Sequence, residues 1–362
     1  MTTPDRSPQT PWDAAPLRAA VQTTLDEFVD AQAARLADLG ADADRLVAAA
    51  REAITGGKRF RAAFCYWGFR AVKDEGYDER QLVRAAAALE LLHASALVHD
   101  DYMDASDVRR GRPATHRAFE SQHREQGWGG DPEQYGAAAA ILLGDLLLSW
   151  ADELLRTSGF APDRIFDALG YFDTTRGEVI AGQFLDVSVQ ARRSSSVDAA
   201  MTVLRYKSAK YSVERPLHIG AALAGAGPEM FEALSAFGLP LGEAFQLRDD
   251  LLGVFGDPAV TGKPAGDDLV EGKRTVLVAL ALEHAPAEDA RRLDESLGTP
   301  LDTAEVDVLR QVIESSGAHT RVEEMIDELT ARCLSALEAA PVTDAARSVL
   351  RQLAMAATQR VV

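Results

Sequence analysis

Apolar residues recur three and four positions apart along most of the chain, the period of a helix that buries one face. The strongest runs, residues 84–99 and 137–155, are rich in Ala and Leu, the residues that lose least on entering a helix. Alternating strand patterns closed by hairpin turns are absent. The pattern predicts an all-α protein of about ten to thirteen helices, several of them long. Breaks fall at Gly56-Gly57, at Gly111-Arg112-Pro113, and around 127–132, 158–162, 225–228, 257–266 and 298–300, where Gly and Pro cluster. Residues 121–134 are polar, carry Gly127, Gly129 and Gly130, and read as a surface loop whose Trp128 packs locally or against a partner. Beyond residue 317 the chain reads as charged amphipathic helices with a packing role.

At 362 residues and 47% hydrophobic content the chain can bury a sizeable core, and no linker-like stretch divides it. Residues 1–16 read as a flexible N-terminal tail ahead of one domain covering 17–362. With 38 Lys and Arg against 56 Asp and Glu the net charge is −18, which argues against nucleic acid and anionic membrane surfaces as partners. Cys65 and Cys333 are the two cysteines; neither has the spacing of a zinc or redox motif, and both read as core residues. The N-terminus lacks the apolar stretch of a signal peptide, and no run approaches the ~20 apolar residues of a membrane span. A cytoplasmic location without stable membrane insertion is the expectation.

Against this background two acidic clusters stand out. Asp100-Asp101-Tyr102-Met103-Asp104 and Asp249-Asp250 each end an apolar helical run. Asp100 and Asp104 are four apart, so their carboxylates leave one face of a helix, where like charges destabilise it by a few tenths of a kcal/mol unless a cation compensates. Magnesium suits such a pair, because it takes oxygen ligands and is usually held by one or two carboxylates together with substrate phosphates.

Basic residues stand where phosphates would need them. Gly56-Gly57-Lys58-Arg59-Phe60-Arg61 places three cations at an apparent helix start, where backbone N–H groups also favour anions. Arg109 and Arg110 follow the first acidic cluster, Lys207 lies in Tyr206-Lys207-Ser208-Ala209-Lys210-Tyr211, and Lys263 and Lys273 follow the second. Two kinds of anion site result: one bridged by metal, with Arg109, Lys207 and Lys263, and one held by side chains alone, with Lys58, Arg61 and Arg110.

On these residues the chain resembles the trans-isoprenyl diphosphate synthases, or polyprenyl synthetases, most of all the bacterial geranylgeranyl diphosphate synthase branch. The matching motifs are Gly57-Lys58-Arg59-Phe60-Arg61, His93 to His99 leading into Asp100, Arg109-Arg110-Gly111-Arg112-Pro113 with His116, Gly182-Gln183, Lys207-Ser208, Phe245-Gln246 with Asp249-Asp250, Gly262-Lys263, and Gly272-Lys273-Arg274-Thr275. The resemblance implies a single bundle around a central cavity, the isoprenoid synthase fold. It implies that Asp100, Asp104 and Asp249 bind two or three Mg2+ ions bridged to an allylic diphosphate, with Asp101 and Asp250 acting through water or through contacts to the groups around the ions. Arg109, Lys207, Ser208, Gln246, Lys263 and Lys273 would line the allylic site, and Lys58, Arg61, His93 and Arg110 would hold isopentenyl diphosphate. A homodimer is expected by the same analogy. Two departures are visible: Gly253 stands where the family often has a third aspartate, and Ala62 where proline commonly follows the basic run.

The implied reaction is a head-to-tail trans condensation. The allylic C–O bond ionises as cations stabilise the departing diphosphate, isopentenyl diphosphate captures the allylic cation, and a proton is lost. If the helix before Asp100 runs down from the metals, Ser95 and Ala96 lie one turn below and Leu92, Leu89 and Ala88 line the next turns; one turn is ~5.4 Å, close to one isoprene unit. Small Ser95 and Ala96 argue against a C15 stop, so a C20 product is expected, with Leu92 or a bulky residue in 137–155 as the floor. C15, or C25 and longer, are the alternatives. A class I terpene cyclase would share the helices and the acidic site but would not need a second diphosphate site. A non-catalytic regulatory subunit would tend to have lost one acidic motif, and this chain keeps both.

Overall fold

The computed structural model describes residues 13–256 and 266–359, almost entirely in helices. In chain order they are α1 (Ala15–Leu36), α2 (Ala41–Ile54), α3 (Phe60–Val72), α4 (Glu79–Met103), α5 (Thr115–Glu125), α6 (Pro132–Arg156), α7 (Pro162–Ala191), α8 (Val197–Val203), a π-helical segment (Leu204–Glu214), α9 (Arg215–Ala224), α10 (Pro228–Phe255), the single turn α11 (Asp267–Val270), α12 (Val276–His284), α13 (Ala287–Ser296), α14 (Thr303–Ser315), α15 (Ala318–Ala339) and α16 (Asp344–Thr358). Fifteen of the α-helices described have seven residues or more, somewhat beyond the expected number, because the chain after Gly266 folds into several short helices. The first helix begins at Ala15, so the last two residues assigned to the tail form its first turn. The expected loop 121–134 is shorter: α5 runs to Glu125 and α6 starts at Pro132, capped by the Asp131 side chain. Trp128 packs locally, edge-on to Tyr135 at 5.4 Å and 5.1 Å from the Arg45 guanidinium.

Two apolar clusters form the interior. One gathers α1 to α4, α6, α7, α9, the first half of α10, the end of α15 and α16; the other gathers α8, the second half of α10, α11 to α14 and the start of α15. Both cysteines are buried in the first, and α10 runs through both. The π segment joins them: Gly182 of α7 and Gly242 of α10 face it, and a Cβ at either would lie 2.4 Å from its backbone at Lys207 and Ala209. Only glycine lets α7 and α10 approach this closely, and the wide π turns between them carry Lys207, Ser208 and Tyr211 to the cavity wall. Contrary to the expectation, one helix among the described residues, α4, is long and apolar enough to cross a membrane, but 72% of its apolar window is buried within the molecule, as in a core helix.

Candidate active site

Both acidic clusters lie near helix C-termini. Asp100, Asp101 and Asp104 end α4, Asp249 and Asp250 lie in the last two turns of α10, and neither helix has a basic residue in its last turn. A helix C-terminus carries partial negative charge, so carboxylates there are destabilised, and compensation has to come from elsewhere in the fold. It comes from three cations. Lys207 Nζ lies 3.0 Å from Asp100 Oδ1 and 2.6 Å from Asp186 Oδ2. Arg109 donates from Nε to Asp101 Oδ1 at 2.8 Å and also through Nη2, so Asp101 anchors an arginine beside the acidic pair. Lys273 Nζ pairs with Glu271 and lies 3.3 Å from Asp268 Oδ1 and 3.6 Å from Asp104 Oδ2.

Burial opposes ionisation of Asp100, but Lys207, Lys273 and Arg109 outweigh it and hold the carboxyl well below its usual range. Asp104 goes the other way: burial, then the neighbouring Asp100 charge, pushes it up to about 6. Its Oδ2 is buried and makes no hydrogen bond. A buried carboxylate oxygen without a donor, beside a second carboxylate, fits a divalent cation better than any group now facing it. Among the described residues no three His, Cys, Asp or Glu side chains surround a point on their own, so an ion here would complete its coordination with water or phosphate oxygens.

A cavity of about 1280 Å3 opens beside these groups, and Asp100 and Lys207 share its lining with Asp249, Asp250, Gln246 and Ser208. Lys273 links the two acidic walls, reaching Asp104 on one side and Asp268, which stands against α10, on the other. Asp250 accepts from Gln246 Nε2 at 2.8 Å, and burial, then the Asp268 charge, pushes its carboxyl up to about 8.

The isopentenyl-site candidates also meet, around the start of α3. Gly56, Gly57 and Arg59 take positive φ and turn the chain into that helix. The Arg59 side chain is buried against Glu90 at 3.1 Å, and Glu90 also accepts from the Ala62 N–H, which fixes the turn. Lys58 and Arg61 therefore face the cavity. Arg61 lies over the Tyr211 ring at 4.1 Å, and the Tyr211 hydroxyl is 2.7 Å from His93 Nδ1. Burial and then Arg61 and Arg110 hold His93 well below its usual pKa, so it is neutral. Arg109 and Arg110 part company at a two-residue hairpin: Val108–Arg109 pairs with Arg112–Pro113, and Arg110 and Gly111 take positive φ as a type I′ turn requires. One arginine is sent to Asp101, and the other to the Thr55 carbonyl at 2.8 Å beside Gly57.

Below Asp100, Ala96, Ser95 and Leu92 line the cavity, with Leu148 of α6 and Val179, Ile180, Phe184 and Val187 of α7. Leu89 and Ala88, expected in the same wall, lie one turn further along that face in the main core instead, because the apolar lining of the cavity on α4 ends at Leu92. Lys263 lies outside the described residues. Asp186, Tyr211, Asp268 and Glu271 are site residues that the sequence reading passed over; each belongs through a partner distant in sequence or on another element.

The polyprenyl synthetase family model matches residues 43–316. The crystal structure of geranylgeranyl pyrophosphate synthase from Corynebacterium glutamicum, complexed with isoprenyl diphosphate and magnesium, is similar with a TM-score of 0.94 at 42% identity, over 97% of this chain and 100% of that one. The short chain isoprenyl diphosphate synthase of Methanothermobacter thermautotrophicus is 34% identical over 71% of this chain and 73% of its own length. The geranylfarnesyl diphosphate synthase of Natronomonas pharaonis is 33% identical over 76% of this chain and 74% of its own. With the matched region running from α2 to the end of α14, the chain belongs to the polyprenyl synthetase family, a family of trans-prenyltransferases that use divalent metal.

Proposed function

We propose that the protein condenses isopentenyl diphosphate with an allylic diphosphate and releases geranylgeranyl diphosphate, C20. The observation that carries this reading is one cavity with a carboxylate wall and a separate cationic pocket at its mouth, continuing down α4 past Ser95 and Ala96 to Leu92. Asp100, Asp104 and Asp249 would hold two or three Mg2+ ions, which when bound neutralise charge on the departing diphosphate. Arg109, Lys207 and Lys273 bind the same allylic diphosphate, and Lys263 is assigned there from its motif alone. Gln246 and Ser208 flank the reacting carbons. Lys58, Arg61 and Arg110 hold isopentenyl diphosphate, and neutral His93 adds a hydrogen bond without repelling the cations around it. No side chain stands out as a base, so the departing diphosphate takes the proton. Apolar walls keep water from quenching the allylic cation. Leu92 and Leu148 line the cavity below Ser95 and Ala96 and are the side chains we assign as the floor that ends elongation.

We further read the protein as a homodimer. Ile141 and Leu142 on α6 and Phe166, Ile180, Phe184 and Val187 on α7 are apolar and exposed, Phe184 by 74%, a stripe that suits a second copy. Incubation with Mg2+, isopentenyl diphosphate and dimethylallyl, geranyl or farnesyl diphosphate tests the activity. C20 should accumulate from each primer, and EDTA should abolish it. Hydrocarbon formed from an allylic diphosphate alone would mark a cyclase instead.

A further inference from the structure

Asp249 and residue 253 are one helical turn apart, so a side chain at 253 would rise on the same face and extend the second acidic wall. The chain has glycine there. The space is nevertheless filled: a Cβ built on Gly253 would lie 1.9 Å from Asp268 Oδ2 and 2.5 Å from its Cγ. The Asp268 carboxylate, delivered by α11, thus occupies the place of the missing side chain, and it lines the same cavity as Asp249 and Asp250. A side chain at 253 would have to displace the Asp268 carboxylate from this place, and a second carboxylate there would repel it. On its other side Asp268 Oδ1 lies 3.3 Å from Lys273 Nζ, and that ammonium stands 3.6 Å from Asp104 Oδ2, the buried oxygen without a hydrogen bond. A cation between the two walls therefore meets acceptors from both.

We propose that Asp268 supplies the third carboxylate of the second acidic wall and, with Asp249, holds the divalent cation that bridges to the allylic diphosphate. This rests on the reading of the cavity as a prenyl diphosphate site. The bare backbone at Gly253 lets the Asp268 carboxylate lie against α10, and Lys273, on the same short stretch as α11, enters the site with it.

Mn2+ binding in the presence of inorganic diphosphate, followed by electron paramagnetic resonance, tests the assignment without turnover. Asp268→Asn, nearly isosteric, should raise the half-saturating Mn2+ concentration by about tenfold or more, the range seen when groups supporting a metal are removed. The double variant Gly253→Asp, Asp268→Gly moves the carboxylate to α10 and should bring most of that affinity back. Lys273→Gln controls for a carboxylate that merely positions the lysine: it should weaken diphosphate binding with little change in the Mn2+ half-saturation. Asp268→Asn behaving like Lys273→Gln, or binding Mn2+ as the unaltered protein does, overturns the proposal while leaving the site reading intact. If the unaltered protein takes up no Mn2+ with diphosphate, both fall. Should Asp268→Asn melt early in metal-free buffer, Asp268→Glu decides: a shifted half-saturation supports the role and an unshifted one overturns it.

Discussion

At the scale of single residues, the acidic clusters are costly where they stand. The carboxylates that end α4 face the negative end of its macrodipole, and Asp100 and Asp104 repel one another across one turn. Lys207 and Arg109 relieve Asp100 and Asp101, while Asp104 is left with Lys273 at 3.6 Å and a buried oxygen that nothing donates to. Asp104→Asn should consequently lower kcat/KM by about 10²-fold or more, since a preorganised charge aimed at the leaving group is lost, and should raise the Mg2+ requirement. Steady-state rates across a magnesium titration check this; a rate within threefold of the unaltered enzyme would remove Asp104 from the metal site. Arg61→Ala belongs to the other pocket and should raise KM for isopentenyl diphosphate about tenfold or more, with KM for the primer nearly unchanged. The Asp100–Asp104 pair was legible in the sequence because a four-residue spacing on a helix is a local property. Asp186 and Asp268 were not, since what makes them site residues is contact with Lys207 and with the bare backbone of Gly253, and neither contact leaves a periodic trace.

At the scale of elements, α4 combines two roles in one helix: its last turn bears the acidic wall, and the turns before it line the tunnel. Ser95→Phe or Ala96→Phe places an aromatic ring about one turn, ~5.4 Å, below the metals and should shorten the main product from C20 to C15. Chromatography of the dephosphorylated products reads the result, and an unchanged distribution would remove this face of α4 as the tunnel wall. The helix itself was plain from its apolar period; how far the cavity runs along it was not, and Leu89 and Ala88, one turn beyond Leu92 on the same face, turned out to belong to the core because the helices packed against α4 close the space there. The π segment was not anticipated either, and its close packing depends on glycines of α7 and α10 that lie far from it in sequence. The junction of α7, α9 and α10 holds a further consequence. His218 is buried there between Arg215 and Ser235, beside Tyr171 and Phe231, and burial, followed by the Arg215 charge, lowers it to about 4, against the smaller pull of Glu178. The unfolded chain, with an ordinary histidine near 6.5, binds more protons than the folded one between those values. Stability from this group is complete above about pH 6.5 and declines as pH falls toward 4, by on the order of 3 kcal/mol at most. Urea midpoints at pH 7, 6 and 5 should drop less steeply in His218→Gln; parallel pH curves would acquit the histidine.

At the scale of the whole molecule, a net charge of −18 makes two copies repel, so an interface between them must be built from surface that carries little charge. The exposed apolar stripe on α6 and α7 is such a surface: Ile180, Phe184 and Val187 follow one another at helical spacing, with Ile141 and Leu142 on α6. Because Ile180, Phe184 and Val187 also line the cavity, covering them would seal the same tunnel that must exclude water from the allylic cation. In a twofold-symmetric dimer each substitution on the stripe is felt twice, and a carboxylate buried there has no partner. Phe184→Glu together with Leu142→Glu should therefore convert the protein from a dimer to a monomer of about 39.0 kDa, measured by light scattering on a sizing column. The monomer should still bind Mn2+ with diphosphate, because the groups proposed to hold them all come from one chain, but it should release more allylic alcohol as water reaches the open side. A double variant that stays dimeric would place the interface elsewhere, and a monomer whose alcohol release is unchanged would mean that the tunnel is closed by its own walls alone.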